Sequence, residues 1–218
     1  MWLISLAPTW AGETIRCRYE LRIDDQIVGS SSLRVAFLPE EEGEQRLLQV
    51  QTSVELPGGI AWSQHLTGQG GPRQGFHAVN EDADGRWEVQ ANRHPQGLMV
   101  GLVTEDGRSA ELQRSVEGHS LSWLDPGLSR REGAYTFLSA ETGALIEGQL
   151  VDQGEGAWLF RSELGEQQLR YDEQGWLREA TWSLAGQQLQ MRMVGEPPRR
   201  DWGGLEAQGP ADVAVEEL

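Results

Sequence analysis

The chain has 218 residues, 38% of them hydrophobic, and a formal net charge of −16. This acidic balance argues against DNA or RNA as a partner, because phosphate binding needs clustered positive charge. Cys17 is the single cysteine, which excludes an intrachain disulfide and a zinc site built from several thiolates. The basic residues are all arginine, a bias that a high-GC bacterial genome would produce.

The first part of the chain, residues 1–11, is apolar and ends in the small residue Ala11. It resembles the back half of a secretory signal peptide whose basic leader is missing. We therefore expect residues 1–11 to be a signal-peptide remnant and the protein to be periplasmic or secreted. The alternative is an ordinary strand in a cytoplasmic protein. No other stretch approaches the roughly 20 apolar residues of a transmembrane helix.

Strict alternation of apolar and polar residues begins at Ile15 and continues to Asp24. Period two is typical of a half-buried β-strand with one face on a core and the other in water. The returning strand of this hairpin is predicted to end near Phe37, with its turn at Asp24–Asp25 or near Gly29. Charge repulsion in the following run, Pro39 to Glu44, predicts a solvated loop.

Similar alternation returns along the chain between Gly-containing turns. A strand is predicted from Leu48 to Leu56, and it ends at the turn signal Pro57–Gly59. Between residues 121 and 131 the pattern lapses, which indicates a loop with one helical turn. The last part is the most regular, and it predicts strands over residues 157–163, 167–171, 176–184 and 187–194.

The short loops favour pairing of neighbouring strands as an antiparallel meander. A flat sheet of about a dozen strands would leave long exposed edges, so we expect an all-β fold curled into an open or half barrel. The alternative is a two-sheet β-sandwich. The prediction is a single domain over residues 12–195, followed by a disordered acidic tail over residues 196–218, which lacks periodicity.

Three stretches of hairpin chemistry carry a family resemblance: Tyr19 to Gly29, Leu138 to Gly143, and Leu169 to Leu177. Over roughly residues 12–194 the chain resembles secreted bacterial antiparallel β proteins that are known only as families of unknown function. The resemblance implies export and a partly open barrel. It implies no catalytic residues.

The run from Asn80 to Gly85 looks like the opening of a calcium loop, with oxygen ligands at alternating positions and glycine sixth. Such a loop needs a bidentate carboxylate at its twelfth position, which here is Ala91. A solvated Asp-Gly hairpin turn is therefore the favoured interpretation.

Other candidate chemistry is equally sparse. The histidines lack the spacing of metal ligands, and neighbours such as Ser63–His65 or His119–Ser120 do not by themselves make a triad, which is assembled in space. We therefore assign no catalytic residue, no metal ligand and no cofactor. The four histidines are His65, His77, His94 and His119.

Nine tryptophans are unusual for a chain of this length. They either fill the core or line a groove for an apolar ligand or a sugar, and the core interpretation is favoured, with a mixture also open. Six of them lie in the predicted β domain: Trp62, Trp87, Trp123, Trp158, Trp176 and Trp182.

These observations lead to three hypotheses. The first is an exported, non-enzymatic protein of the bacterial envelope that binds a lipid-like or other apolar small molecule, or an envelope protein, on a concave β surface. The second is a cytoplasmic acidic protein that binds a basic partner through salt-sensitive contacts. The third is a hydrolase, which would need converging carboxylates or a Ser–His pair with perturbed pKa values.

Overall fold

The alternating segments pair into one sheet of 15 strands in a computed structural model of the chain. It describes residues 13–40, 43–56, 60–70, 74–114, 116–128, 130–184 and 187–196, and over these ranges no helix occurs. In chain order the strands are β1 (Glu13–Ile23), β2 (Gln26–Glu40), β3 (Gly43–Leu56), β4 (Ile60–Gln69), β5 (Phe76–Asp82), β6 (Gly85–His94), β7 (Gly97–Thr104), β8 (Gly107–Gln113), β9 (Gly118–His119), β10 (Gly133–Leu138), β11 (Leu145–Gly154), β12 (Ala157–Ser162), β13 (Gly165–Tyr171), β14 (Leu177–Leu184) and β15 (Gln187–Met193).

The order of the strands places both ends of the described chain at the centre of the sheet. Strands β1 to β8 follow one another outward to one edge, and β15 to β9 follow one another outward to the other edge. The two halves meet where β1 pairs with β15, with Leu21 opposite Met191. Neighbours are antiparallel except β9 and β10, which are parallel. The edges do not pair, so the sheet is not closed into a barrel, which confirms the predicted all-β open meander.

The first hairpin turns at Asp24, one of the two predicted positions. Asp24 has φ = 51°, in the left-handed region that aspartate tolerates in tight turns. Gly29 instead permits close strand approach, because a Cβ there would lie 2.2 Å from the carbonyl oxygen of Ser53 on β3.

The prediction of a loop over Pro39–Glu44 is wrong. Strand β2 continues to Glu40 and β3 begins at Gly43, with Pro39 paired to Glu44 and Glu40 paired to Gly43. The pairing uses backbone groups, so a run of carboxylates does not by itself prevent it.

The hydrophobic core lies on one face of the sheet, which we call the inner face. On β1 the buried side chains are Ile15, Cys17, Tyr19 and Leu21, whereas the intervening Arg16 and Arg18 are exposed on the outer face. The same alternation places the core residues of the other strands on the inner face, whereas Ala36 on β2 and Leu159 on β12 are buried out of phase with it. This confirms the period-two interpretation of the sequence.

One long connection joins the two edges of the sheet. We call residues 116–128 the crossing segment, since they lead from β8 toward β10 and include β9. Turns within it are closed by hydrogen bonds such as that from the Asp125 amide to the Leu121 carbonyl. The predicted loop with one helical turn therefore corresponds to this segment.

Two predicted terminal regions fall largely beyond the described ranges. The signal-peptide remnant, residues 1–11, lies outside them, and so does all of the predicted tail except Glu196. Nothing in the described part of the chain is a helix with the length and apolar character to cross a membrane.

Candidate functional site

The crossing segment packs against the inner face of the sheet through Trp123. The indole stacks on Tyr135 and Phe137, with ring centroids 5.4 and 5.3 Å away, and lies 5.8 Å from Phe160. Leu121 of the same segment is fully buried. Large aromatic groups of this kind dominate the energetics of a core. The inner face is therefore occupied here by the protein's own chain.

A buried ion pair anchors the crossing segment to β3. Arg46 donates from Nε to Asp125 Oδ1 at 2.8 Å and from Nη2 to Oδ2 at 3.1 Å, a bidentate geometry. Asp125 is completely buried, and its Oδ1 also accepts a hydrogen bond from the Gly127 amide. Because two buried carboxylate oxygens receive matched donors, the cost of burying this charge is offset.

Strand β13, in the half of the sheet formed by β9 to β15, also contacts the crossing segment, through Tyr171. The Tyr171 hydroxyl donates to the Trp123 carbonyl at 2.9 Å, and the Arg130 guanidinium lies 3.6 Å above the Tyr171 ring. Burial raises the pKa of Tyr171 above its ordinary value, which the nearby Arg130 charge opposes. The neutral hydroxyl is thus the form that this contact uses.

Tryptophan in the described part of the chain belongs to the core. Trp176 is fully buried and Trp123 is 7% exposed. The others pack partly buried against the core: Trp62, Trp87, Trp158 and Trp182. All six therefore pack on the core, and Trp158 also lines the open cleft described below.

The turn that joins β10 to β11 also rests on the inner face. The side chains of Asn80 and Trp87 donate hydrogen bonds to the carbonyls of Ala140 and Glu141, respectively. Burial, and secondarily the charge of Asp82, raise the pKa of the Glu141 carboxyl. These two hydrogen bonds join β5 and β6, in the half of the sheet formed by β1 to β8, to the turn after β10, in the half formed by β9 to β15.

The stretch that resembles a calcium loop is a hairpin between β5 and β6. Asn80 is fully buried, and its amide is used by the turn at Ala140. Asp82 Oδ1 accepts a hydrogen bond from the Asp84 amide at 2.8 Å, as expected when an aspartate closes a tight turn. These contacts agree with the favoured hairpin interpretation.

His65 and His77 lie two residues apart in register on the neighbouring strands β4 and β5, whereas His94 ends β6 and His119 lies in the crossing segment. His65 contacts Gln49 and His77 contacts Glu88, both at exposed positions of the outer face. His94 accepts a bond from the Gln96 amide in a turn, and buried His119 packs its ring against Phe76. Among the described residues, no group of three or more His, Cys, Asp or Glu side chains is arranged to hold a metal ion.

Cys17 is buried on β1. Burial, followed by the negative charge of Asp172, raises the pKa of the thiol to about 11, and the Arg178 charge opposes this shift. A thiol acts as a nucleophile in its ionised form, so a raised pKa and a buried position make Cys17 unreactive near neutral pH.

An open cleft of about 520 Å³ lies on the outer face of β12 to β15. Its polar side chains alternate along their strands with the core residues Leu169, Ala180 and Leu189, which places them on the outer face. Gln190 donates to Glu179 within the cleft. The polar side chains in its lining include Gln168, Arg170, Glu179, Thr181, Gln188 and Gln190.

The sequence analysis singled out Trp158, which lines this outer cleft, but it did not identify the polar side chains around it. Its sequence signal is the glutamine at outward positions, namely Gln168, Gln188 and Gln190. Such residues are common on any solvated strand, and the pairing of β13, β14 and β15 brings these together.

Comparison with known proteins supports the fold. No protein-family model matches the chain. No curated protein matches it either. A solved structure described as a beta-barrel-like protein of domain of unknown function DUF1849 from Brucella abortus is similar, with a TM-score of 0.54 and 10% sequence identity. The similarity covers 83% of this chain and 95% of that chain. The resemblance to bacterial β proteins of unknown function is thereby supported at the level of fold.

Proposed function

We propose that the protein is a non-enzymatic binding protein of the bacterial envelope that recognises an envelope protein through the outer cleft. The observation that carries this proposal is the contrast between the two faces of the sheet. The crossing segment covers aromatic residues on the inner face, whereas the outer cleft presents exposed Gln168 and Gln188 beside Arg170.

The character of the cleft favours a protein partner over an apolar ligand. Sites for apolar molecules are mostly lined by hydrophobic and aromatic side chains. Here amide and charged groups predominate, and such groups are typical of the solvated contacts of protein interfaces. An apolar ligand bound on the inner face against Tyr135 and Phe137 would have to displace Trp123 from its stack on these rings.

A pair of matched variants tests the proposal. Gln168→Arg places a long cation in the cleft, and Gln51→Arg places the same cation at an exposed outer-face position of β3, far from it along the sheet. A photo-crosslinker at position 188 identifies the partner, and calorimetry with the purified partner measures affinity. We expect Gln168→Arg to weaken binding at least about tenfold, about 1.4 kcal/mol, and Gln51→Arg to leave it unchanged.

Other outcomes would favour the other hypotheses. Equal weakening by both variants would reject the cleft as the binding site. A lipid or other apolar mass retained in native mass spectrometry would support the apolar-ligand hypothesis instead. Cell fractionation tests export: recovery in the cytoplasm, with binding that falls steeply as salt rises, would support the acidic protein with a basic partner.

A further inference from the structure

The two edges of the open sheet differ in how their backbone groups are used. At the β10 edge, β9 pairs with the end of the strand at Phe137 and Leu138. The Glu117 amide also donates to the Thr136 carbonyl at 2.9 Å, and the Thr136 amide donates to Glu117 Oε2 at 2.6 Å. At the other edge, β7 is the one strand that pairs with β8 in the described ranges. The crossing segment therefore covers one edge, whereas β8 presents a row of backbone donors and acceptors.

The register of the β7–β8 hairpin determines which backbone groups of β8 point away from β7. The loop of this hairpin has two residues, so the pair that closes it, Thr104 and Gly107, is hydrogen-bonded in both directions. Such pairs recur at every second residue of an antiparallel ladder. The intervening residues Arg108, Ala110 and Leu112 therefore direct their amides and carbonyls to the free edge.

Strand β8 has few of the features that protect the edge of a sheet. Proline, lysine and bulges keep other strands away from an edge, but β8 has neither of these residues and pairs with β7 without a bulge. Residues 107–111 are all exposed, so another strand can reach them. The strand carries one charge of each sign, Arg108 on the outer face and Glu111 on the inner face, where it lies opposite Val100.

The sequence of β8 is complementary to itself in one antiparallel register. Two copies related by a two-fold axis at Ala110 pair over the whole strand, with Arg108 opposite Leu112 and Ser109 opposite Glu111. The residues that face the edge then form hydrogen-bonded pairs, with about six backbone hydrogen bonds in total. No charge lies opposite its own copy, as would happen with the axis at Arg108 or Glu111.

Opposite charges also meet at the two ends of this ladder. Arg114 follows β8 and is exposed. In the register centred on Ala110 it lies beside the β7–β8 turn of the other copy, which carries Glu105 and Asp106. The two-fold axis produces this contact twice. A second copy of the chain is therefore favoured over an unrelated strand, since the register and the charges that match it both come from β8 and its flanks.

We propose that the protein forms a two-fold dimer in which β8 pairs antiparallel with β8 of a second copy. The two sheets become continuous, and the aliphatic part of Arg108 from one copy covers Leu112 of the other. The contact is one strand wide, which is smaller than a standard interface, so the dimer is weak and reversible. Strand β8 and the strands of the outer cleft lie in different halves of the sheet, so the dimer is independent of the proposed function.

Sedimentation equilibrium of the full chain, at concentrations up to about 1 mM, measures the dissociation constant of the dimer. We expect the mass to rise with concentration from that of one chain toward that of two. Ala110→Pro removes an amide that points away from β7, so the hairpin tolerates it, but the hydrogen bonds at the axis are lost. We expect it to raise the dissociation constant at least about tenfold.

Ala134→Pro is the matched control at the other edge of the sheet. Ala134 is an exposed residue of β10. Its amide points away from β11, because Thr136, two residues later, directs its own amide to Glu117. We expect Ala134→Pro to leave the dissociation constant unchanged, and circular dichroism checks that both proline variants are folded.

Charge changes at Ser109 test the register, and they decide the question even if a proline variant unfolds. Within its own hairpin Ser109 lies opposite Leu102, so a charge there meets no charge on β7 directly across the ladder. In the dimer it lies opposite Glu111 of the other copy. We therefore expect Ser109→Arg to lower the dissociation constant several-fold and Ser109→Glu to raise it several-fold, with a smaller difference at high salt.

Three results would overturn the proposal. The first is a wild-type chain that keeps the mass of a monomer at every concentration up to about 1 mM. The second is a dimer that Ala110→Pro weakens no more than Ala134→Pro does, since its contact would then lie elsewhere. The third is a dimer that Ser109→Arg does not strengthen relative to Ser109→Glu, since Glu111 would then not lie opposite this position.

Discussion

Asp125 is a charged residue that is completely buried. Its carboxylate is fully buried and bound by Arg46, which is itself only 14% exposed. Removing one partner leaves an uncompensated charge, so we expect Asp125→Ala to lower the free energy of unfolding in urea by about 3 kcal/mol. Glu166→Ala is the matched control, since its pair with Arg161 is more than half exposed, and it should cost less than about 1 kcal/mol. Equal losses would contradict the anchoring role of Asp125.

The buried thiol of Cys17 predicts how the stability of the protein depends on pH. Its pKa is about 11 in the folded protein and its ordinary value is 9.0. Between these pH values the unfolded chain loses the thiol proton while the folded protein keeps it, so rising pH favours unfolding. We expect wild-type stability to fall more steeply from pH 9 to 11 than that of Cys17→Ala, as measured by urea unfolding at several pH values. Parallel curves would show that the thiol is not protected by the fold.

The crossing segment is the element on which the packing of the inner face depends. Trp123→Ala removes a ring that contacts Tyr135, Phe137 and Phe160, and it leaves a cavity that their side chains cannot fill completely. We expect a loss of about 3–5 kcal/mol in the free energy of unfolding and new binding of a hydrophobic dye to the folded protein. Leu164→Ala, at a turn position that is 67% exposed, should change stability by less than about 0.5 kcal/mol. A dye-free, fully stable Trp123→Ala protein would contradict this role.

Local patterns predict the strands but not the role of that segment. Alternation from Ile15 onward identified β1, and the four regular runs near the end correspond to β12–β15, because each strand shows its buried face within a few residues. Asp125 precedes Pro126 and Gly127, which is ordinary turn chemistry. Its burial depends on Arg46, 79 residues earlier, and no local period encodes such a pairing.

The polar lining of the outer cleft escaped prediction for a related reason. Gln168 and Gln190 are outward residues on separate strands, and each is unremarkable in its own strand. They converge because the sheet places Gln168 opposite Thr181 and Thr181 opposite Gln190. The sequence indicates which residues face outward, whereas the order and register of the strands decide which of them are neighbours.

At the scale of the whole molecule, the pairing of β1 with β15 decides whether the halves unfold together. Leu21 is fully buried at this junction, opposite Met191 on one side and Gly29 on the other. The crossing segment also joins the halves, since Asp125 binds Arg46 while Trp123 accepts a bond from Tyr171. A single cooperative domain is therefore expected, as the sequence predicted. Leu21→Ala should lower the unfolding free energy by about 3 kcal/mol in both halves.

Hydrogen exchange followed by mass spectrometry tests this expectation, because it reports the opening free energy of each strand separately. In the wild-type protein the most protected amides of β3 and β13 should exchange with the same free energy. In Leu21→Ala both should lose protection by the same amount, since both would exchange through global unfolding. Ile27→Ala, at an exposed position of β2, is the control and should leave both values unchanged. Loss of protection in β3 alone, or in β13 alone, would instead establish two independently unfolding units that meet at β1 and β15.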